Sequence, residues 1–517
     1  MAERLSPVLM VQGTSSAVGK SLLVTGLCRL FRQDGWDVAP FKAQNMALNS
    51  YVTPEGHEIG RAQAVQAEAA GLAPHVDMNP ILLKPESGGR SQVVLGGRPW
   101  QRLPAGTFYQ HRDELWRAVT AALDRLRSRH DLVIAEGAGS PAEINLRPGD
   151  LANMEVALYA RAPVLLVGDI DRGGVFAQLI GTLILLAPEE RALVRGLVIN
   201  KFRGDLALLG DGLRMLEAHA GVPVLGVIPY LRDLGIAEED SVCLDEPAAA
   251  PHAEWQIDIA AIRFPHLSNF DDLDALRLEP GVAVRFVSSP AALGRPRAII
   301  LPGSKNTLAD LAWLREQGLD RAILERATEG TAVVGLCGGY QMLGRTLRDP
   351  CGADGGPPGG ETPGLGLLPV DTVFRTEKHT WQASGRVCAR AGWLAGLAGC
   401  EVSGYEVHMG ESAGGEPLLE IARCGLEGKA LPDGAVSEDG RVFGTYLHGL
   451  FDTPGFRCAW LRSLGWQGAE SGVSLRQARE AAYDRLAGVL RECLDVAGLY
   501  RLIGADRPRA MHTSAAR

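Results

Sequence analysis

Thr331-Ala-Val-Val-Gly-Leu-Cys-Gly-Gly-Tyr-Gln-Met-Leu-Gly344 decides how the second half of this chain folds. Ala332–Leu336 is an unbroken apolar run with two valines, which predicts a strand buried in a parallel sheet. Tyr340–Leu347 reads as the start of a helix. Cys337 stands between them, with Gly335, Gly338 and Gly339 around it. Glycines there permit a tight strand-to-helix turn that lifts a side chain above the sheet. The N–H of Gly338 and the helix N-terminus then face negative charge developing on a substrate oxygen. The same field, with a base nearby, favours a thiolate. A small buried cysteine in a glycine-rich turn would present the same residues, so a nucleophile needs partners elsewhere.

Two stretches offer them. Gly444-Thr-Tyr-Leu-His448-Gly-Leu-Phe-Asp452 sets His448 just after a β-type run, so a thiol and an imidazole both fall at strand ends. His408, in the alternating stretch Ser403–Glu411, is a rival base. Upstream, the buried strand in Arg297-Ala-Ile-Ile-Leu-Pro-Gly-Ser304 ends at Pro302-Gly303, where the Gly303 N–H offers a second oxyanion donor. Elbow, Pro-Gly strand end and late histidine together resemble the class I glutamine amidotransferases, which release ammonia from glutamine through a cysteinyl thioester. Most of that class carry a glutamate two residues after the histidine. Leu450 stands there in this chain, as in the branch that acts on corrinoids, which leaves the group orienting His448 unknown.

The first half opens on a different machine. Val8–Val11 predicts a short buried strand, followed by Gly13-Thr-Ser-Ser-Ala-Val-Gly-Lys20-Ser21 and a helix to about Arg32. Such a loop wraps phosphates in backbone N–H groups. Lys20 reaches the terminal phosphate oxygens and Ser21 can hold Mg²⁺. Gly13, Thr14, Gly19, Lys20 and Ser21 are therefore the candidate ATP-binding residues. Five residues separate Gly13 from Gly19 rather than the usual four, a spacing that resembles dethiobiotin synthetase and its relatives. Glu136, after the strand Leu132–Ala135, is a second Mg²⁺ candidate; capping a helix is its alternative role. Strand-like and helical runs alternate from Val38 to Ile228, as an α/β domain with a parallel sheet requires. Its strand ends also carry Lys42, Asp169 and Asp171.

At 517 residues the chain suits two or three domains. The expected division is an ATP-binding domain over 1–232, a linker over 233–254, a glutaminase domain over 255–456, a helical extension over 457–504 and a polar tail over 505–517. Gly352–Gly366, rich in Gly and Pro, is expected to be a mobile excursion. A net charge of −9 argues against nucleic acid and anionic lipid as partners. Nine scattered cysteines without metal spacing fit a reducing compartment, and no apolar run is long enough for a bilayer. The expectation is a cytoplasmic α/β protein of two doubly wound parallel-sheet domains, a P-loop domain followed by a class I glutaminase domain.

Seven stretches narrow the resemblance: Pro40–Asn49, Glu58–Ala64, Asn79–Pro85, Gly168–Ala177, Ile199–Gly204, Pro302–Thr307 and Gly404–His408. In order, from about residue 8 to 460, they resemble the cobyric acid synthase family of glutamine-dependent corrinoid amidotransferases. The resemblance implies ATP- and glutamine-dependent amidation of carboxylates b, d, e and g of adenosylcobyrinic acid a,c-diamide. It assigns Cys337 as nucleophile and His448 as base, and makes Lys42, Arg61, Lys84 and Arg172 candidates for contacting substrate carboxylates. The sister enzyme, cobyrinic acid a,c-diamide synthase, uses the same two-domain logic. A non-catalytic P-loop switch is the alternative of another class, and it predicts a replaced nucleophile where Cys337 is intact.

Overall fold

The computed structural model describes residues 5–86, 89–231, 234–236, 255–426 and 430–505. Of the expected linker only Leu234–Ile236 falls within that range, and the tail beyond Ala505 lies outside the described residues.

Six parallel strands form the first sheet, in the order Val224–Pro229, Val194–Phe202, Val164–Asp169, Val8–Gly13, Leu132–Glu136 and Val38–Phe41. Its central strands are apolar and buried on both faces. All carboxyl ends lie along one edge, and the phosphate loop, Lys42, Glu136 and Asp169 follow from that geometry. A smaller four-stranded sheet, Gln44–Met46, Ile81–Glu86, Arg90–Leu95 and Arg98–Pro104, projects from this domain. The second main sheet runs Val282–Val287, Ile257–Ile262, Ala298–Leu301, Ala332–Leu336 and Val442–Thr445, all parallel, with Ala435–Val436 added antiparallel. Beside it lies a mostly antiparallel sheet built on the long pair Asp371–Val387 and Glu401–Ala413. Both main sheets match the expected fold class; the flanking sheets are additions to it.

The expected helical extension divides between the two domains. Pro454–Ser463 packs Phe456, Trp460 and Leu461 into the core of the second domain. Leu475–Cys493 and Val496–Leu502 instead enter the core of the first domain, where Leu486, Leu490, Leu494, Leu499 and Tyr500 join Leu9, Val24, Leu27 and Phe31. One continuous helix over Leu475–Leu499 does not form. The Asp495 side chain accepts from Gly498 N–H and caps a new helix, so the chain turns after Cys493. The helix Lys20–Gln33 and the helix Leu475–Cys493 approach closely enough that a Cβ on Gly26 would stand 2.4 Å from Leu490. Arg29 pairs with Glu480 and Asp484 along the rim. Each fully buried leucine of this seam contributes on the order of 1.5–3 kcal/mol.

Charged side chains are buried where the domains meet. Glu58 lies between Lys84, at 2.7 Å, and Lys378. Burial raises the Glu58 carboxyl, but the two ammonium groups override it and hold the acid well below its ordinary range. Burial in turn pushes Lys378 down to about 8, against the pull of Glu58. Lys305 meets Glu86 at 2.8 Å. Gly352–Gly366 is docked rather than mobile at its start: Arg102 donates to the carbonyls of Gly352 and Ala353, and Asp354 accepts from the N–H groups of Thr307 and Leu308.

Candidate active site

Cys337 caps the short helix Gly338–Leu343 directly after the strand Ala332–Leu336. Its φ of 51° and ψ of −108° are costly for a residue with a Cβ. Surrounding bonds hold it there: Cys337 N–H donates to Thr445 O at 2.9 Å and Gly339 N–H to Pro302 O at 3.1 Å. A Cβ on Gly339 would lie 1.8 Å from Leu301 O, so only glycine lets the helix sit this close to the neighbouring strand end. The Ser304 nitrogen lies 2.9 Å from where a Gly338 Cβ would stand. The Gly303–Ser304 strand therefore packs directly against the start of this helix, and Ser304 lines a cavity with Cys337.

His448 is 1% exposed and makes two-way backbone bonds with Tyr405, whose ring stacks on the imidazole at 5.1 Å. Its Nδ1 meets Asp272 Oδ2 at 2.7 Å, and Asp272 Oδ1 accepts from Gly449 N–H at 2.8 Å. Among the described residues His448 Nε2 has no hydrogen-bond partner. Burial alone would lower the imidazole pKa, but Asp272, with Cys337 beside the ring, pushes it up to about 10. That direction favours the charged imidazole, which the Asp272 carboxylate faces at 2.7 Å. Asp272 is the orienting acid that the sequence left unassigned. It lies on the turn Phe270–Leu278, following Ile257–Ile262, far from any histidine motif. The one signal for it was Leu450, which obliges the acid to come from another element.

The rival His408 lines the same small cavity, with Ser304, Gln341, Lys84, Lys378 and Cys337. Both its ring nitrogens are engaged, Nδ1 with Gly410 O at 2.8 Å and Nε2 with Glu406 at 3.3 Å, and the ring stacks on Tyr446. His448 is the better base on this geometry.

At the other site Gly13–Ser21 bends through Ala17 at φ 57° and Gly19 at φ 95° into the helix Lys20–Gln33. Thr14 N–H donates to Val167 O at 2.9 Å. Lys20 Nζ lies over the loop, donating to Ser15 O at 2.9 Å and Gly139 O at 3.0 Å. The Glu136 carboxylate accepts from Ser21 Oγ at 2.8 Å, from Lys42 Nζ at 2.9 Å and from Gln66 Nε2 at 2.6 Å. Burial works to raise the Glu136 carboxyl, but Lys42 outweighs it and keeps the acid ionised. A hydroxyl and an ionised carboxylate in contact are hard-oxygen donors of the kind Mg²⁺ takes, with nucleotide phosphates completing its shell. Among the described residues no cluster of three His, Cys, Asp or Glu side chains could hold a metal alone.

The four basic candidates separate. Lys42 stays at the phosphate site and Arg172 is exposed on the loop after Val164–Asp169. Arg61 and Lys84 are drawn into the domain interface instead, paired with Asp271 at 2.9 Å and Glu58 at 2.7 Å. Buried carboxylates hold both cations in the structure.

Two family models match the chain. Residues 9–242 match a CobQ/CobB/MinD/ParA nucleotide binding domain, and residues 258–456 match a CobB/CobQ-like glutamine amidotransferase domain. The chain is 54% identical over 502 residues to a cobyric acid synthase of Chloroflexus aurantiacus, covering 96% of this chain and 99% of that one. It is 54% identical over 509 residues to one of Desulforudis audaxviator and 51% identical over 517 residues to one of Sorangium cellulosum, with the same two coverages. With a thiol–imidazole–carboxylate line in one domain and a phosphate loop in the other, the chain belongs to the cobyric acid synthase family of glutamine-dependent ligases.

Proposed function

We propose that the chain uses ATP and glutamine to amidate the b, d, e and g carboxylates of adenosylcobyrinic acid a,c-diamide. The observation that carries this reading is the pairing, in one chain, of the Cys337–His448–Asp272 line with a phosphate loop whose Ser21 contacts Glu136. The Cys337 sulfur attacks the glutamine carboxamide carbon. Charge on its oxygen is met by the N–H of Gly338 and a donor of the Gly303–Ser304 strand. His448 gives its proton to the departing ammonia, and then takes one from the water that hydrolyses the thioester to glutamate. Asp272 fixes the imidazole tautomer throughout.

In the first domain the corrin carboxylate oxygen attacks the terminal phosphorus of ATP, giving an acyl phosphate and ADP. Ammonia then attacks the acyl carbon, and phosphate leaves. The loop Gly13–Ser21 binds the phosphates, with Lys20 and Lys42 offsetting their charge. Ser21 and Glu136 would hold Mg²⁺, which, when bound, offsets phosphate charge. Arg172 remains a candidate for a substrate carboxylate. The same reading divides the chain into an ATP-binding part over 1–232 and a glutaminase part over 255–456, with 457–504 shared between them.

Mass spectrometry tests the substrate assignment. Incubated with ATP, Mg²⁺, glutamine and the a,c-diamide, the enzyme should add four amides. Amidation of cobyrinic acid at two positions, with no turnover of the a,c-diamide, would favour the sister activity instead.

A further inference from the structure

The supports of His448 do not all belong to its own half of the chain. Asp272 lies on a turn entered through Asn269, which is held in the left-handed region at φ 52°. The first domain grips that entrance. Asn269 N–H donates to Asn49 Oδ1 at 2.7 Å, and its side-chain amide donates to Ser50 O at 3.2 Å and to Tyr405 Oη at 2.9 Å. Tyr405 is the ring stacked on His448. Asp271, next to Asp272, meets Arg61 Nη2 at 2.9 Å, with side chains only 7% and 4% exposed.

Arg61 is also the first residue of the helix Arg61–Ala70. About 7.5 Å further along that helix, Gln66 donates to Glu136 at 2.6 Å. One short rigid element thus touches the phosphate site with Gln66 and the histidine's support with Arg61. The Arg61–Asp271 contact is also half made. Among the described residues Arg61 Nε and Asp271 Oδ1, both buried, have no partner, and they are the two atoms that would complete a side-on bidentate bridge. Closing the bridge to a bidentate one would satisfy both atoms.

We propose that Arg61 is a positioning residue for glutamine cleavage. Through Asp271 it holds the Asp272–His448 pair in its productive orientation, and the Arg61–Ala70 helix makes that hold respond to the phosphate site. The proposal rests on His448 being the base. It makes the glutaminase centre incomplete until the two domains are docked.

Arg61→Ala, Arg61→Lys and Asp271→Asn, each in the full chain, test it. Glutamate release, ammonium-driven amidation and the rate at which iodoacetamide alkylates Cys337 are measured. Arg61→Ala should lower kcat for glutamate release by about 10- to 100-fold, the cost typical of a small misplacement, with KM for glutamine little changed. Arg61→Lys, able to keep a single bridge, should recover part of that loss, and the isosteric Asp271→Asn should resemble Arg61→Ala. ATP with Mg²⁺ should change the alkylation rate in the native enzyme and not in Arg61→Ala. Ammonium-driven amidation and the corrinoid KM should stay as in the native enzyme. Native glutamate release in both Arg61→Ala and Asp271→Asn would overturn the proposal. So would loss of ammonium-driven amidation with a raised corrinoid KM, which would make Arg61 a substrate ligand. Glutamate release surviving in Cys337→Ala would instead overturn the reading of the centre on which the proposal rests.

Discussion

The two sites begin from the same local design, a buried parallel strand, a glycine turn and a helix N-terminus, yet their polar groups are held in opposite ways. At the elbow, Cys337 sits in a strained backbone conformation and His448 has one nitrogen pinned and the other open. At the phosphate loop, Lys20 is bonded to carbonyls of the chain, and Ser21, Lys42 and Gln66 all converge on Glu136. A covalent centre must be in its reactive geometry before the substrate arrives, so its strain and its open nitrogen are kept in the resting fold. A phosphate site full of charge is satisfied internally at rest and exchanges those bonds for ligand ones on binding.

That contrast can be broken most sharply at the sulfur. Cys337→Ala should reduce glutamine-driven amidation by about 10³-fold or more, while ammonium at alkaline pH still supports product formation. Product assays with each nitrogen source check this, and loss of both would show that the two sites cannot be separated.

Asp272→Asn should cost roughly 10²- to 10⁴-fold in glutamate release, by analogy with removing the orienting acid of other triads. The sign of its pH effect is fixed. Asp272 raises the pKa of His448, so the alkaline limb, expected near 10 in the native enzyme, should move down toward the ordinary histidine value. A pH profile of kcat/KM for glutamine measures it.

Lys20→Ala sharpens the comparison from the other side. Both nitrogen sources need the activated carboxylate, so both should fall together, by about 10²-fold, while ATP-independent glutamate release persists. Ser21→Ala should be milder, on the order of 10-fold in ATP turnover and partly restored by added Mg²⁺; an unaltered Mg²⁺ dependence would leave Glu136 a structural acid. Smallest is His408→Ala, expected to cost less than about 10-fold in glutamate release, because both nitrogens of that ring are already engaged.

What could be read before folding was whatever is written locally. The elbow and the phosphate loop each fit within fifteen residues, and their chemistry depends on backbone shape that glycine spacing announces. Asp272 could not be read this way, because it reaches His448 across 176 positions and belongs to no motif of its own. Arg61 and Lys84 were read as candidates for substrate carboxylates; only the fold brings Asp271 and Glu58 against them. The small sheet of Gln44–Pro104 was not foreseen, since its strands carry charges such as Lys84, Glu86, Arg98 and Arg102 in place of clean alternation. Gly352–Gly366 misled through composition: glycine and proline describe its backbone freedom but not Arg102, which ties it down.

The helix Leu475–Cys493, which fills the core beside Leu27 and Phe31, bears on how the molecule is made. A ribosome delivers the strands of the first sheet well before the leucines that close their core, which emerge only after the second domain. At about 5–20 residues per second, the first domain waits on the order of ten seconds or more with an apolar surface open, while the glutaminase domain forms between its two parts. The two activities therefore cannot be divided onto separate chains by one cut near residue 254. A first half released there would lack Leu486 and Leu490, and a working split would have to carry the closing helix back to the strands it covers.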